Sequence, residues 1–179
     1  MLTRHAQFER AVNVQNMYGQ QECRLTKEEI DSHWNEVLEV IAKVEERGES
    51  LIFVTDANRH VGDIVEGNNE KVTYGGELIR KFLESEKYVL LNSTNLVIGG
   101  PWTRTDYKDP ECKSVLDLVI ISSDLVKYVE VMEIDSQRKF TPFRVTKESL
   151  HFTDHFAIKV TLQGLPVRKK SQSLGMKYT

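Results

Sequence analysis

An uninterrupted apolar run, Leu51-Ile52-Phe53-Val54, follows directly on a long helical repeat, and this pair constrains the fold more than any other feature of the chain. Four apolar residues in a row are too few for a buried helix and match a strand covered on both faces, so the chain must supply two layers to cover it. The segment before it provides one. Thr26 with Glu29 three residues on forms a capping box, and Ile30, Trp34, Val37, Leu38, Ile41 and Val44 recur at helical spacing until Gly48 stops the helix. The strand then ends in Thr55-Asp56-Ala57-Asn58, which sets polar groups at its C-terminal edge.

The remaining elements extend the same plan. Val12 to Tyr18 reads as a strand of mixed polarity, and Asp63 to Thr73 reads as a polar surface loop. A second amphipathic helix carries Leu78, Ile79, Phe82 and Leu83 after Gly75-Gly76, and Tyr88 to Leu91 is the next strand. Further strands are expected over Trp102 to Thr105, Val115 to Ile121, Val129 to Ile134 and Phe156 to Leu162, with a charged turn from Asp106 to Lys113. Such a mixture points to an α/β (α+β) layered domain over 1–165, followed by a basic flexible tail over 166–179 that holds Arg168-Lys169-Lys170.

Composition narrows the partners. With 24 basic against 27 acidic residues the net charge is −3, so no general positive field draws in a polyanion and any nucleic-acid contact has to be local. Cys23 and Cys112 stand far apart without metal-ligand spacing, which argues against a zinc site or a disulfide framework. No apolar run is long enough to span a membrane, and Met1 to Arg10 is polar and charged. The expectation is an intracellular protein, nuclear or cytoplasmic, neither membrane-bound nor secreted.

Four short elements bring polar residues to the ends of apolar strands: Asn16-Met17-Tyr18-Gly19, Thr55-Asp56-Ala57-Asn58, Leu116-Asp117-Leu118-Val119 and Thr153-Asp154-His155. An ordinary turn also places Asp and Asn after a strand, because their side chains satisfy local backbone groups. Asp117 is less easily explained, since a carboxylate inside an apolar strand is rare unless it is paired. In this order the elements resemble the endonuclease/exonuclease/phosphatase (DNase I-like) superfamily, with its N-x-Y-x-P, G-D-x-N, [IL]-D-Y-[IV] and S-D-H signatures. Arg59-His60-Val61-Gly62, the unit from Gly76-Glu77-Leu78 to Leu91-Asn92-Ser93, and Trp102-Thr103 ahead of Asp117 resemble the retrotransposon branch.

The resemblance implies a DNase I-like layered β-sandwich flanked by helices and a Mg²⁺- or Mn²⁺-dependent cleavage of phosphodiesters. Asp56 would orient or deprotonate the attacking water, and Asn58 would donate to the phosphate. Asp154, with Asp56, would hold the metal. His155 would present a donor to the scissile phosphate, with Asp117 fixing its tautomer. Tyr18 and Gln21 would contact substrate, and Trp102 would stack on a base or pack in the core. Departures from the signatures are Thr55 for glycine, Gln20 for proline, Leu118 for tyrosine and Thr153 for serine.

Family members carry, ahead of the tyrosine element, an asparagine strand and a strand ending in a metal-binding glutamate, whereas only 17 residues precede Tyr18 here. The expectation is therefore an N-terminally truncated domain that lacks the first strands of one sheet, with metal binding weak or lost unless the glutamate is replaced. An uncovered sheet face invites self-association or a protein partner that covers it. Three functions fit this reading: a DNA endonuclease of retroelement origin, intact or degenerate; a catalytically inactive structural or interaction subunit; and a phosphatase acting on a small molecule or lipid head group.

Overall fold

The computed structural model describes residues 11–19, 22–66, 71–106, 108, 109, 111–140, 144, 145, 150, 151 and 154–165. The basic segment from 166 onward, Gln21 and Thr153 lie outside the described residues. Strand β1 (Val12–Tyr18) leads to helix α1 (Lys27–Glu46), strand β2 (Ser50–Asp56), helix α2 (Tyr74–Leu83) and strand β3 (Tyr88–Leu90). The short strands β4 (Val97–Ile98), β5 (Arg104–Thr105) and β6 (Lys113–Ser114) follow, then the longer β7 (Asp117–Ser122) and β8 (Val129–Ile134). A two-residue pair, β9 (Arg144–Val145) and β10 (Leu150–His151), precedes β11 (Ile158–Leu162).

Two mixed sheets organise the described chain, one of four strands in the order β1-β2-β7-β3 and one of three in the order β11-β8-β4. Strand β2 sits inside the first sheet, parallel to β1 and antiparallel to β7. Its side chains alternate between two cores, as a strand's period of two requires. Leu51 and Phe53 join Leu118 and Ile120 of β7 beneath the helices, with Val37, Ile41 and Val44 of α1 and Ile79 of α2. Ile52 joins Val119 and Ile121 on the other face, against Met132 and Ile134 of β8. The layers are thus helices, four-stranded sheet and three-stranded sheet, and the apolar run is covered on both sides as its sequence demands.

The caps and aromatic contacts explain why the helices sit where they do. Thr26 Oγ1 accepts from Glu29 N at 3.2 Å while Glu29 Oε2 accepts from Thr26 N at 2.8 Å, so two of the otherwise orphaned N-terminal donors are satisfied. Trp34 on α1 meets Phe82 on α2 edge to face at 5.8 Å, and Phe82 stacks on Tyr88 of β3 at 4.7 Å. This run of rings ties both helices to the sheet edge. No described helix is long and apolar enough to cross a membrane.

The structure differs from the sequence reading in one loop, three strand starts and one helix start. Within the segment expected as a surface loop, Asp63, Glu66 and Lys71 are exposed, but Val65 is buried and Val72 bridges to the fully buried Val61. Strands expected to open at Trp102, Val115 and Phe156 begin at Arg104, Asp117 and Ile158, because the residues before them make irregular contacts to the site instead of ladder pairs. Gly75 and Gly76 lie inside α2, not ahead of it. There the helix start approaches the chain leaving β2 so closely that a Cβ on Gly76 would collide with the carbonyl of His60.

That close approach decides the sign of a substitution. Gly→Ala within a helix ordinarily stabilises by about 1 kcal/mol, whereas forcing a methyl into a packed contact costs about 1–3 kcal/mol. Gly76→Ala is therefore expected to lower the unfolding free energy measured in urea, and an unchanged or raised stability would contradict the packing described.

Candidate active site

Asp56 and Asp117 are opposite one another in the antiparallel ladder between β2 and β7. They continue the rows Ile52-Val54 and Ile121-Val119 on the face that looks toward the second sheet, so the same alternation that buries apolar residues in mid-strand brings two carboxylates together at its end. His155 completes the group from the chain that enters β11. Its Nδ1 lies 2.9 Å from Oδ2 and 3.1 Å from Oδ1 of Asp117, while Nε2 is 3.9 Å from Asp56 Oδ2 and 4.0 Å from Asp154 Oδ1. The second pair of distances is too long for direct hydrogen bonds, so Nε2 faces a space bounded by two carboxylates.

Each member is positioned by backbone contacts that leave little freedom. Thr103, fully buried, accepts on Oγ1 from the amides of Leu116 at 2.9 Å and Asp117 at 3.0 Å, and so fixes the start of β7. Asn92, also buried, accepts from Val119 N at 2.8 Å and donates to the Asp117 carbonyl at 3.0 Å. Thr105 N donates to Asp154 O, Phe156 N donates to Thr103 O, and Arg104 bridges His155, so β5 straps the Asp154-His155 segment against the site. Arg104 adds an ion pair, Nε to Asp154 Oδ2 at 2.8 Å.

At the end of β2 the chain turns through Asn58, whose φ of 49° lies in the left-handed region that asparagine tolerates better than most residues. Asn58 Nδ2 donates to Gly19 O at 2.7 Å, and Gly19 N donates to Asp56 O at 2.7 Å. Gly19 is required here, since a Cβ would strike the carbonyl of Ala57. The ends of β1 and β2 are thereby locked together, with Tyr18 level with Asp56 in the parallel register. Tyr18 is largely exposed and borders an open groove that also meets Asn16, Val54, Asp56, Asp117 and Phe156.

The electrostatics follow from this enclosure. The hydrogen bond that His155 donates to Asp117 raises the His155 pKa above its usual value, against the opposing pull of burial, and the charges of Asp117, Asp56 and Asp154 add to the rise. Burial pushes Asp56 above the usual carboxylate range; the His155 charge opposes this, Asp117 reinforces it, and the amides of Asn58 oppose it. Asp56 Oδ1 is buried without a hydrogen-bond partner among the described residues. One ligand atom each from Asp56, Asp117 and His155 lie within 4.8 Å of one another, the group of His, Cys, Asp or Glu among the described residues spaced as a metal site would be.

Of the residues expected from sequence, Asp56, Asp117, Asp154 and His155 meet at one mouth of the fold, with Asn58 and Tyr18 on its rim. Trp102 is half-buried and packs against the helix-side core. Gln21 cannot be placed within the described residues. Arg104 was not singled out by the sequence, and Thr103 and Asn92 entered only as parts of the Trp102-Thr103 and Leu91-Asn92-Ser93 motifs, with no role of their own. No protein-family model and no curated protein matches the chain.

The Asp117–His155 bond has a pH signature. A group whose folded pKa is raised contributes stability in full below its unfolded value, about 6.5 for histidine, and loses it as pH rises through the folded value. In Asp117→Asn the His155 ring, followed by NMR titration, should titrate at lower pH than in the wild type. The wild type's stability advantage, about 1.5–3 kcal/mol for a charge-assisted bond, should shrink as pH rises above about 6.5. Superimposable His155 titrations in the two proteins would contradict the pairing.

Proposed function

We propose that the chain is a metal-dependent phosphodiesterase of the DNase I-like class, acting on DNA in the manner of a retroelement endonuclease. The observation that carries the reading is His155, held through Nδ1 by Asp117 with Nε2 turned toward the space between Asp56 and Asp154. The layered sheets and flanking helices, with this group at the strand ends, support the same reading.

Hydrolysis of a phosphodiester needs a water deprotonated as it attacks phosphorus, a proton or positive charge for the leaving oxygen, and relief of the negative charge that builds on the non-bridging oxygens. Asp56 suits the first task, because burial makes its carboxylate a stronger base than an exposed one. His155 suits the last, because Asp117 favours the imidazolium, whose Nε2–H can donate to a non-bridging oxygen. Asn58, at the rim, keeps the Asp56 turn in place, its side-chain amide donating to Gly19 O and its amides favouring the Asp56 carboxylate.

A divalent cation fits the donors present. Mg²⁺ takes one or two carboxylates and completes its octahedron with water and phosphate oxygens. Asp56 Oδ1, buried without a hydrogen-bond partner among the described residues, is an acceptor of the kind such an ion satisfies, and Asp154 Oδ1 lies on the side away from the Arg104 contact. Asp56 and Asp154 would hold the ion, while the imidazolium of His155, committed to Asp117, is the wrong ligand for a hard cation. When bound, the ion supplies positive charge to a non-bridging oxygen.

A catalytically inactive interaction subunit is the second reading, and the outer strand β1 favours it. Val14 is 65% exposed and Tyr18 67%, on a strand paired on one side only in the four-stranded sheet. Plasmid nicking separates the two. The purified chain should nick supercoiled DNA with Mg²⁺ or Mn²⁺ and stop with EDTA. Losing one preorganised donor in His155→Ala should slow it about 10²–10³-fold. No nicking at high protein concentration with either ion would reject DNA cleavage by this chain and favour the interaction subunit over it.

A further inference from the structure

We infer that Arg104 is a substrate-binding residue, its guanidinium anchored through Nε to Asp154 so that its terminal N–H groups meet the phosphodiester beside His155; this rests on the phosphodiesterase reading. The anchor is the 2.8 Å contact to Asp154 Oδ2, and the other oxygen of the same carboxylate stands 4.0 Å from His155 Nε2. One carboxylate thus separates the guanidinium from the imidazole. The backbone bridge between Arg104 and His155 fixes the same relation independently of the side chains.

A guanidinium carries five N–H donors in a rigid fork. Nε uses one, and the terminal nitrogens make no hydrogen bond to another described residue. The Arg104 side chain is 31% exposed and that of Asp154 38%, so the pair sits at the surface of the site and not beneath it. Ion pairs this accessible contribute little to stability, and holding the fold together does not account for the arrangement.

Charge balance gives the arrangement a purpose. Asp56, Asp117 and Asp154 surround a single imidazole, so an approaching phosphodiester meets more negative than positive charge from the protein. Arg104 is the cationic side chain paired with this group, already oriented by Asp154 before substrate arrives, and a preorganised fork loses less freedom on binding a phosphate than a free side chain. Its geometry also suits two oxygens of one phosphate.

The test is the salt dependence of binding to a short fluorescent DNA duplex in EDTA, where no cleavage occurs, for wild type, Arg104→Gln and Arg104→Lys. Each neutralised phosphate contributes about 0.9 to the slope of log affinity against log salt. Arg104→Gln should weaken binding about tenfold and flatten the slope by about 0.9. Arg104→Lys should keep the slope and recover part of the affinity. A merely structural arginine would change affinity through stability and leave the slope alone.

If Arg104→Gln does not fold, as judged by thermal melting, Arg104→Lys decides: wild-type slope with weakened affinity supports the role, and wild-type affinity overturns it. If duplex binding in EDTA is too weak to measure, the salt dependence of the nicking kcat/KM provides the same slopes. Arg104→Gln that binds with wild-type slope and affinity overturns the assignment and leaves the phosphodiesterase reading standing. A wild type that neither binds nor nicks DNA overturns both.

Discussion

The ladder between β2 and β7 sets Asp56 directly against Asp117, and the candidate site depends on that register. Two carboxylates opposed on adjacent strands repel, so the pairing has to be imposed by the rest of the strands. It is imposed by the rows behind them: Ile52, Val119 and Ile121 are buried on the same face, and Leu51, Phe53, Leu118 and Ile120 on the other. A slip of one residue would turn every one of these side chains to the wrong layer. His155 then settles between the opposed groups, bonded to one and facing the other.

Around this pair the structure places buried polar side chains whose partners are main-chain groups of the site. Thr103 and Asn92 satisfy the start of β7, one through a hydroxyl and the other through an amide. The Asn58–Gly19 and Gly19–Asp56 bonds do the same for the end of β2. A buried hydrogen bond contributes modestly to stability, but a buried donor left unpaired is costly, so such residues chiefly restrict where the carboxylates can go. The orphaned oxygen of Asp56 stands out against this background of satisfied groups, and it is what a base or a cation-binding carboxylate requires.

Local chemistry made much of this readable. The Thr26–Glu29 box, the helical repeat of α1 and the Leu51–Val54 run involve neighbours in sequence, and the structure reproduces them. Asp117 could be singled out because its apolar surroundings demand a partner, and that partner is His155. Contacts that depend on distant strands were not readable. Thr103 and Asn92 stand in motifs of the sequence, but what their side chains do shows only once β7 is placed beside them, and Arg104 looks like one charge among many until the Asp154 segment is strapped to β5. Val65 was assigned to a surface loop because its neighbours are polar, yet tertiary packing buries it.

The proposed function requires that Asp56 and Asp154 hold a divalent ion beside His155. Substoichiometric Mn²⁺ added to isotope-labelled protein tests it directly, because paramagnetic broadening marks nearby nuclei whether or not the protein is catalytically active. The expected result is broadening that begins at the side chains of Asp56, Asp154 and His155 and reaches the amides of Asn58 and Asp117 next. Broadening confined to other acidic surfaces, or none at this mouth up to millimolar Mn²⁺, would contradict it.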